Sequence, residues 1–153
     1  GISTTYATYA IIFSDIKPVD DGETINLRLG DSGGIDSGAS DYNYLYDNTG
    51  TNDSNNQYYY SYANTGYNAL VICAGIGNAT GETGGGVVYL QNHAVGHPQM
   101  HGTFAVKANT GAGRFGTSGG MRLAVITVTQ VQLYMAGGNI DSGRISFYGI
   151  AHA

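Results

Sequence analysis

The sequence predicts an all-β protein, an antiparallel two-sheet sandwich of jelly-roll-like character with about nine strands. Three observations carry that expectation. Apolar and polar residues alternate with a period of two, as in Thr24-Ile25-Asn26-Leu27-Arg28-Leu29, which sets one side of a strand on a core and the other in water. No window repeats apolar residues at i, i+3, i+4 and i+7 for three turns, as an amphipathic helix would. Glycine supplies 25 of 153 residues while charged residues make up 11%, against usual shares of about 7% and about 25%. That mixture suits short strands joined by tight turns and excludes a coiled coil or helical bundle. The hydrophobic share of 42% excludes a charged disordered chain, and the glycines lack the every-third-residue spacing of collagen.

The elements follow in chain order. Tyr6 to Ile16 is the first strand. Thr24 to Leu29 is the second, with Ile25, Leu27 and Leu29 facing the core and Asn26 facing solvent. Asp41 to Tyr46 alternates tyrosines in the same way. Ala69 to Cys73, Gly86 to Leu90 and Gly102 to Ala108 come next, some continuous enough to be buried on both faces. Leu123 to Thr129, Val131 to Met135 and Arg144 to Tyr148 complete the set. Turn-rich stretches separate them: Asp20-Asp21-Gly22, Gly30 to Gly38, Asp47 to Asn56, Gly75 to Gly86, Gly111 to Gly120 and Gly137-Gly138-Asn139. Asp47 to Gly66 is the most loop-like, a long surface excursion or a loop tip. With no internal repeat and no Pro-rich or charged linker, residues 1–153 are expected to form a single sandwich domain.

Charge narrows the partners. Six basic against eleven acidic residues give a net charge of −5. Nucleic acids and anionic membranes attract basic faces, so neither is an expected partner. No apolar stretch approaches the roughly 18–20 residues of a membrane span, so membrane insertion is not expected. The lone cysteine, Cys73, sits in the apolar run Ala69 to Ala74 and reads as a small buried hydrophobe rather than a nucleophile.

Several turn-bearing stretches then carry a resemblance. Tyr9-Ala10-Ile11-Ile12-Phe13-Ser14-Asp15-Ile16-Lys17-Pro18-Val19-Asp20-Asp21-Gly22 leads into Leu27-Arg28-Leu29-Gly30-Asp31-Ser32-Gly33-Gly34 and Asp36-Ser37-Gly38-Ala39-Ser40-Asp41-Tyr42. Later come Gly75-Ile76-Gly77-Asn78-Ala79-Thr80-Gly81-Glu82, Ala136-Gly137-Gly138-Asn139-Ile140-Asp141-Ser142-Gly143 and Tyr148-Gly149-Ile150. Over most of the chain these resemble a family of small β-domains found among tail-fibre and other virion structural proteins of tailed bacteriophages and prophages. The resemblance implies a non-enzymatic structural or adhesion module of the virion: a tail fibre, a baseplate appendage or a capsid decoration. It implies a homo-oligomer, a trimer, that meets other virion proteins; contact with host-surface carbohydrate is an expectation from the Tyr- and Asn-rich segment of the chain. The resemblance brings no catalytic residues and no cofactor. The alternative is a free-standing carbohydrate-binding, lectin-like module.

Candidate binding residues come from the side chains themselves. Tyr58, Tyr59, Tyr60, Tyr62 and Tyr67 cluster with Asn64, flanked by Asn55, Asn56, Gln57 and Asn68. Tyrosine joins a flat apolar face to a hydroxyl, and amides beside such faces match sugar hydroxyls. Two readings stay open: a recognition surface, or alternate tyrosines packed into a core or subunit interface. Asp31, Asp36 and Asp41 recur every five residues among glycines. They are weak candidates for calcium, which takes six to eight oxygens, and stronger ones for Asx-turns. His93, His97 and His101 are spaced by four, but Gly96, Pro98 and Gly102 argue against a helix that would gather them. In an extended strand each step separates them by about 13 Å. Catalysis has little support: the two glutamates, Glu23 and Glu82, lie in turn-like contexts, and Gly84-Gly85-Gly86 has neither the Lys-Ser/Thr nor the helix of a phosphate loop.

Overall fold

The structure is a computed structural model that describes residues 2–3, 5–51, 57–92 and 96–151. Among them run eleven strands: β1 (Thr8–Pro18), β2 (Glu23–Asp31), β3 (Gly34–Ile35), β4 (Tyr42–Thr51), β5 (Gln57–Tyr67), β6 (Leu70–Ile76), β7 (Gly84–Gln91), β8 (Gln99–Lys107), β9 (Gly113–Arg122), β10 (Gln130–Met135) and β11 (Ile140–Ile150). Seven form one antiparallel sheet in the order β11-β1-β7-β8-β9-β4-β5, and β2 pairs with β10, β3 and β6 to form the other. Strand β6 lies against β4, β8 and β9 of the larger sheet. The all-β sandwich expected from the sequence is therefore present, with eleven strands in place of nine.

The core fills the gap between the sheets. Ile25, Leu27 and Leu29 are fully buried, as their alternation requires, and meet Ile16, Leu70, Ile72, Val88 and Leu90 there. Cys73 is buried among them, and burial pushes its thiol up to about 12. In β1 the buried positions run Tyr9, Ile11, Phe13 and then Ile16 and Pro18, a change of parity. A bulge at Ser14-Asp15 makes the change, interrupting the register with both β7 and β11. Asp15 takes φ 53° there, a left-handed conformation that re-aims the strand and returns Ile16 to the core.

Three expectations need correction. Asn26, expected in water, is 3% exposed, because in register it lies between Tyr134 of β10 and Val71 of β6. Leu123 to Thr129, expected as a strand, runs without ladder pairing between β9 and β10. Its backbone is satisfied another way: the Asn92 side chain accepts from the Val128 N–H at 3.1 Å and donates to the Val128 carbonyl at 3.0 Å. The stretches Asp47 to Gly66 and Gly111 to Gly120, expected as loop and turn, instead hold the second half of β4, nearly all of β5 and most of β9. In β9 the glycines serve close packing. A Cβ at Gly120 would stand 2.5 Å from the Leu70 methyl, and one at Gly116 would collide with the Asp47 carbonyl.

Candidate functional site

The β4–β5 pair closes one edge of the larger sheet, and its alternation decides what that edge offers. On β4, Tyr42, Tyr44, Tyr46 and Asn48 point toward the core side and are buried. The register sets Asn64 opposite Tyr44, Tyr62 opposite Tyr46 and Tyr60 opposite Asn48, and paired residues share a face. The inner side of β5 thus carries Tyr58, Tyr60, Tyr62 and Asn64. Because β5 is the last strand, its side chains project past the cover of the smaller sheet: Tyr60 is 48% and Tyr62 43% exposed, while Tyr44 and Tyr46 one strand inward are below 10%.

The rings form a continuous ladder. Tyr62 stacks on Tyr44 at 6.1 Å between centroids and sits 5.9 Å from Tyr46. Tyr60 lies 6.3 Å from Tyr46, and Tyr67 meets Tyr44 edge-on at 5.3 Å. Burial raises the Tyr44 phenol to about 12, helped by the neighbouring phenols of Tyr62, Tyr67 and Tyr46. Burial likewise raises Tyr46, with Tyr60 adding to it and the Arg114 guanidinium opposing it. These phenols stay protonated at neutral pH and present donors as well as ring faces.

At its far end the ladder opens into a cavity of about 350 Å³ bounded by Gly22, Thr24, Tyr46, Asn48, Tyr58, Tyr60, Ala74, Gly75 and Arg114. Tyr58 lies down over Gly50, where a Cβ would come within 2.6 Å of its hydroxyl. That hydroxyl accepts from Arg114 Nε at 2.9 Å, and Arg114 Nη1 donates to the Ala74 carbonyl at 3.1 Å. The guanidinium is thereby held between the two sheets.

Of the residues singled out in the sequence, the structure assembles Tyr58, Tyr60, Tyr62, Tyr67 and Asn64 on one face. Tyr59 is on the other, 67% exposed, its hydroxyl donating to Asp47 Oδ1 at 3.1 Å. Asn55, Asn56 and His93 lie outside the described residues. The aspartates are occupied by turn chemistry and one arginine. Asp31 Oδ1 accepts from the Gly33 N–H and Asp41 Oδ2 from the Gly38 N–H. Asp36 and Asp41 both pair with Arg122, at 2.8 and 3.1 Å. Among the described residues no three of His, Cys, Asp and Glu converge as metal ligands would. His97 precedes β8 and turns Nδ1 to the Arg122 carbonyl at 3.1 Å, while His101 stacks on Tyr89.

Sequence reasoning missed Asn48 and Arg114 as parts of the site, along with the place of Tyr44 and Tyr46 in its wall. A signal for the wall exists: Tyr42-x-Tyr44-x-Tyr46-x-Asn48 and Tyr58-x-Tyr60-x-Tyr62-x-Asn64 are two runs of period two, the pattern of a hairpin. Arg114 comes from a glycine-rich stretch with no such pattern. Compared with protein-family models, curated sequences and solved structures, the chain gives no significant match.

Proposed function

We propose that this chain is a non-enzymatic structural and adhesion module of a bacteriophage virion, and that its tyrosine edge contacts host-surface glycans. The tyrosine ladder on the uncovered edge of β5 carries the reading. Exposed rings stacked on buried ones are preorganised, so little side-chain entropy is lost on binding. Tyrosine faces and hydroxyls, with Asn64 beside them, suit sugar rings and their hydroxyls. The virion setting rests on the family resemblance.

Self-association belongs to the same reading, with a trimer as the copy number that the resemblance implies. The outer face of the larger sheet supports it. Ile12, Leu45, Phe115 and Tyr148 of that face are 43%, 45%, 63% and 55% exposed, apolar side chains open to a second copy.

A glycan array with the intact chain and its variants tests the recognition arm. Binding lost in Tyr60→Ala and Tyr62→Ala, retained in Tyr59→Ala, is the expected result. Equal loss in all three, or no glycan binding by the wild-type chain, overturns it. A free-standing lectin module shares the same edge, and genes for tail or capsid proteins beside this one separate the two.

A further inference from the structure

The cavity at the end of the ladder combines three features that a neutral sugar would use only in part. Asn48 is 6% exposed and lines the cavity, and its side-chain amide makes no hydrogen bond among the described residues. Arg114 brings a positive charge, yet among the described residues the ion pairs all belong to Arg122. Its Nε and Nη1 are engaged by neutral oxygens, and Nη2 has no partner among the described residues. Room for the guanidinium is kept by Gly75, at φ 77°, where a Cβ would collide with Nη1. The third feature is an aromatic wall, Tyr46 and Tyr60, tilted 32° to each other.

From this cavity we infer that the site takes a pyranose bearing a carboxylate, an acidic sugar of the hexuronate or sialate kind. The inference rests on the glycan-recognition reading and specifies its ligand. The carboxylate meets Nη2, the open corner of the Arg114 guanidinium, in a charge-assisted hydrogen bond. A ring oxygen accepts from the amide N–H of Asn48, which lines the cavity. The apolar face of the ring lies on Tyr60. At about 350 Å³ the cavity is at the lower end of the range for small-molecule sites. A neutral sugar would leave the guanidinium without its counter-charge. Inorganic phosphate would pair with the arginine but has no apolar face for the rings.

The test is an array of glucuronate-, galacturonate- and sialate-terminated glycans, each beside its neutral methyl ester, probed with the full chain. The expected result is at least tenfold tighter binding of the free acids, weakening as salt rises. Arg114→Gln removes that preference. Arg114 also ties the sheets together, so Asn48→Asp provides the second arm: it keeps the guanidinium and the side-chain shape and sets a negative charge against the ligand. Loss of acid preference in Asn48→Asp, with thermal unfolding unchanged, supports the site. Acids and esters bound equally would overturn the inference while leaving glycan recognition standing. So would acid preference that survives both substitutions. No glycan bound at all would overturn both.

Discussion

The phenol of Tyr42 reaches from the larger sheet to the backbone of Leu29 in the smaller one. It accepts from the Leu29 N–H at 2.9 Å and donates to the Leu29 carbonyl at 3.0 Å. The same hydroxyl lies 3.0 Å from the Asp36 carbonyl, and the Arg122 guanidinium sits 5.5 Å above the ring. One fully buried side chain thus fastens β4 to β2 and to the segment just after β3.

Tyr42→Phe keeps the ring and removes only the hydroxyl. It leaves the buried Leu29 N–H without its partner, a loss of about 1–3 kcal/mol. Urea denaturation is the measurement, with an unchanged slope and an earlier midpoint as the expected outcome. A midpoint equal to that of wild type would show that the tie contributes nothing.

The alkaline side of the stability profile follows from the same residue and from Tyr44. Burial raises both phenols to about 12 from 10.0. In this case the folded state holds its protons more tightly than the unfolded state. Stability from these groups is complete below pH 10 and is lost as pH rises toward 12. Melting temperatures measured between pH 9 and 12 are expected to fall across that window, and less steeply in Tyr42→Phe. A flat profile above pH 10 would contradict the assignment.

Leu27 lies on β2 with none of its surface exposed. Leu27→Ala is expected to cost about 2–5 kcal/mol. Its neighbour Asn26 is unsuitable as a surface control because it too is buried. Gln132 of β10, exposed on an adjacent strand, serves instead, and Gln132→Ala is expected to stay within about 0.5 kcal/mol of wild type. Equal costs for the two would remove Leu27 from the core.

For the proposed self-association, sedimentation over a wide concentration range is decisive. The expected mass is three times the 16.0 kDa of the chain. Phe115→Lys, on the exposed outer face, is expected to shift the equilibrium toward monomer. A constant single-chain mass at every concentration would show that this domain does not assemble unaided.

Strand β2 was legible because each buried leucine or isoleucine is preceded by a polar residue. Strands β5 and β9 were not. In β5 the residues are Tyr, Asn, Ser, Thr, Gly, Gln and one Ala, a composition shared by surface loops, and only pairing with β4 turns it into a strand. In β9 the glycines read as turns, whereas they admit Phe104 and Leu70 close to the sheet. Burial of Asn26 depended on which strands flank β2, and the pairing of Arg122 with Asp36 and Asp41 spans more than 80 positions. The tyrosines of the site were visible as a cluster. Their division between two faces, and the addition of Arg114, followed from register and long-range contact, which local pattern does not encode.

The projection of Tyr60 and Tyr62 beyond the smaller sheet bears on how such a protein can change. A side chain without a layer above it can be exchanged at little cost to folding, since no neighbour must be repacked to receive the new one. The buried rings of Tyr44 and Tyr46 do not have that freedom. Variation along the outermost strand can therefore remodel what the edge touches while the sandwich behind it stays the same, so that a new specificity and a stable fold need not compete for the same positions.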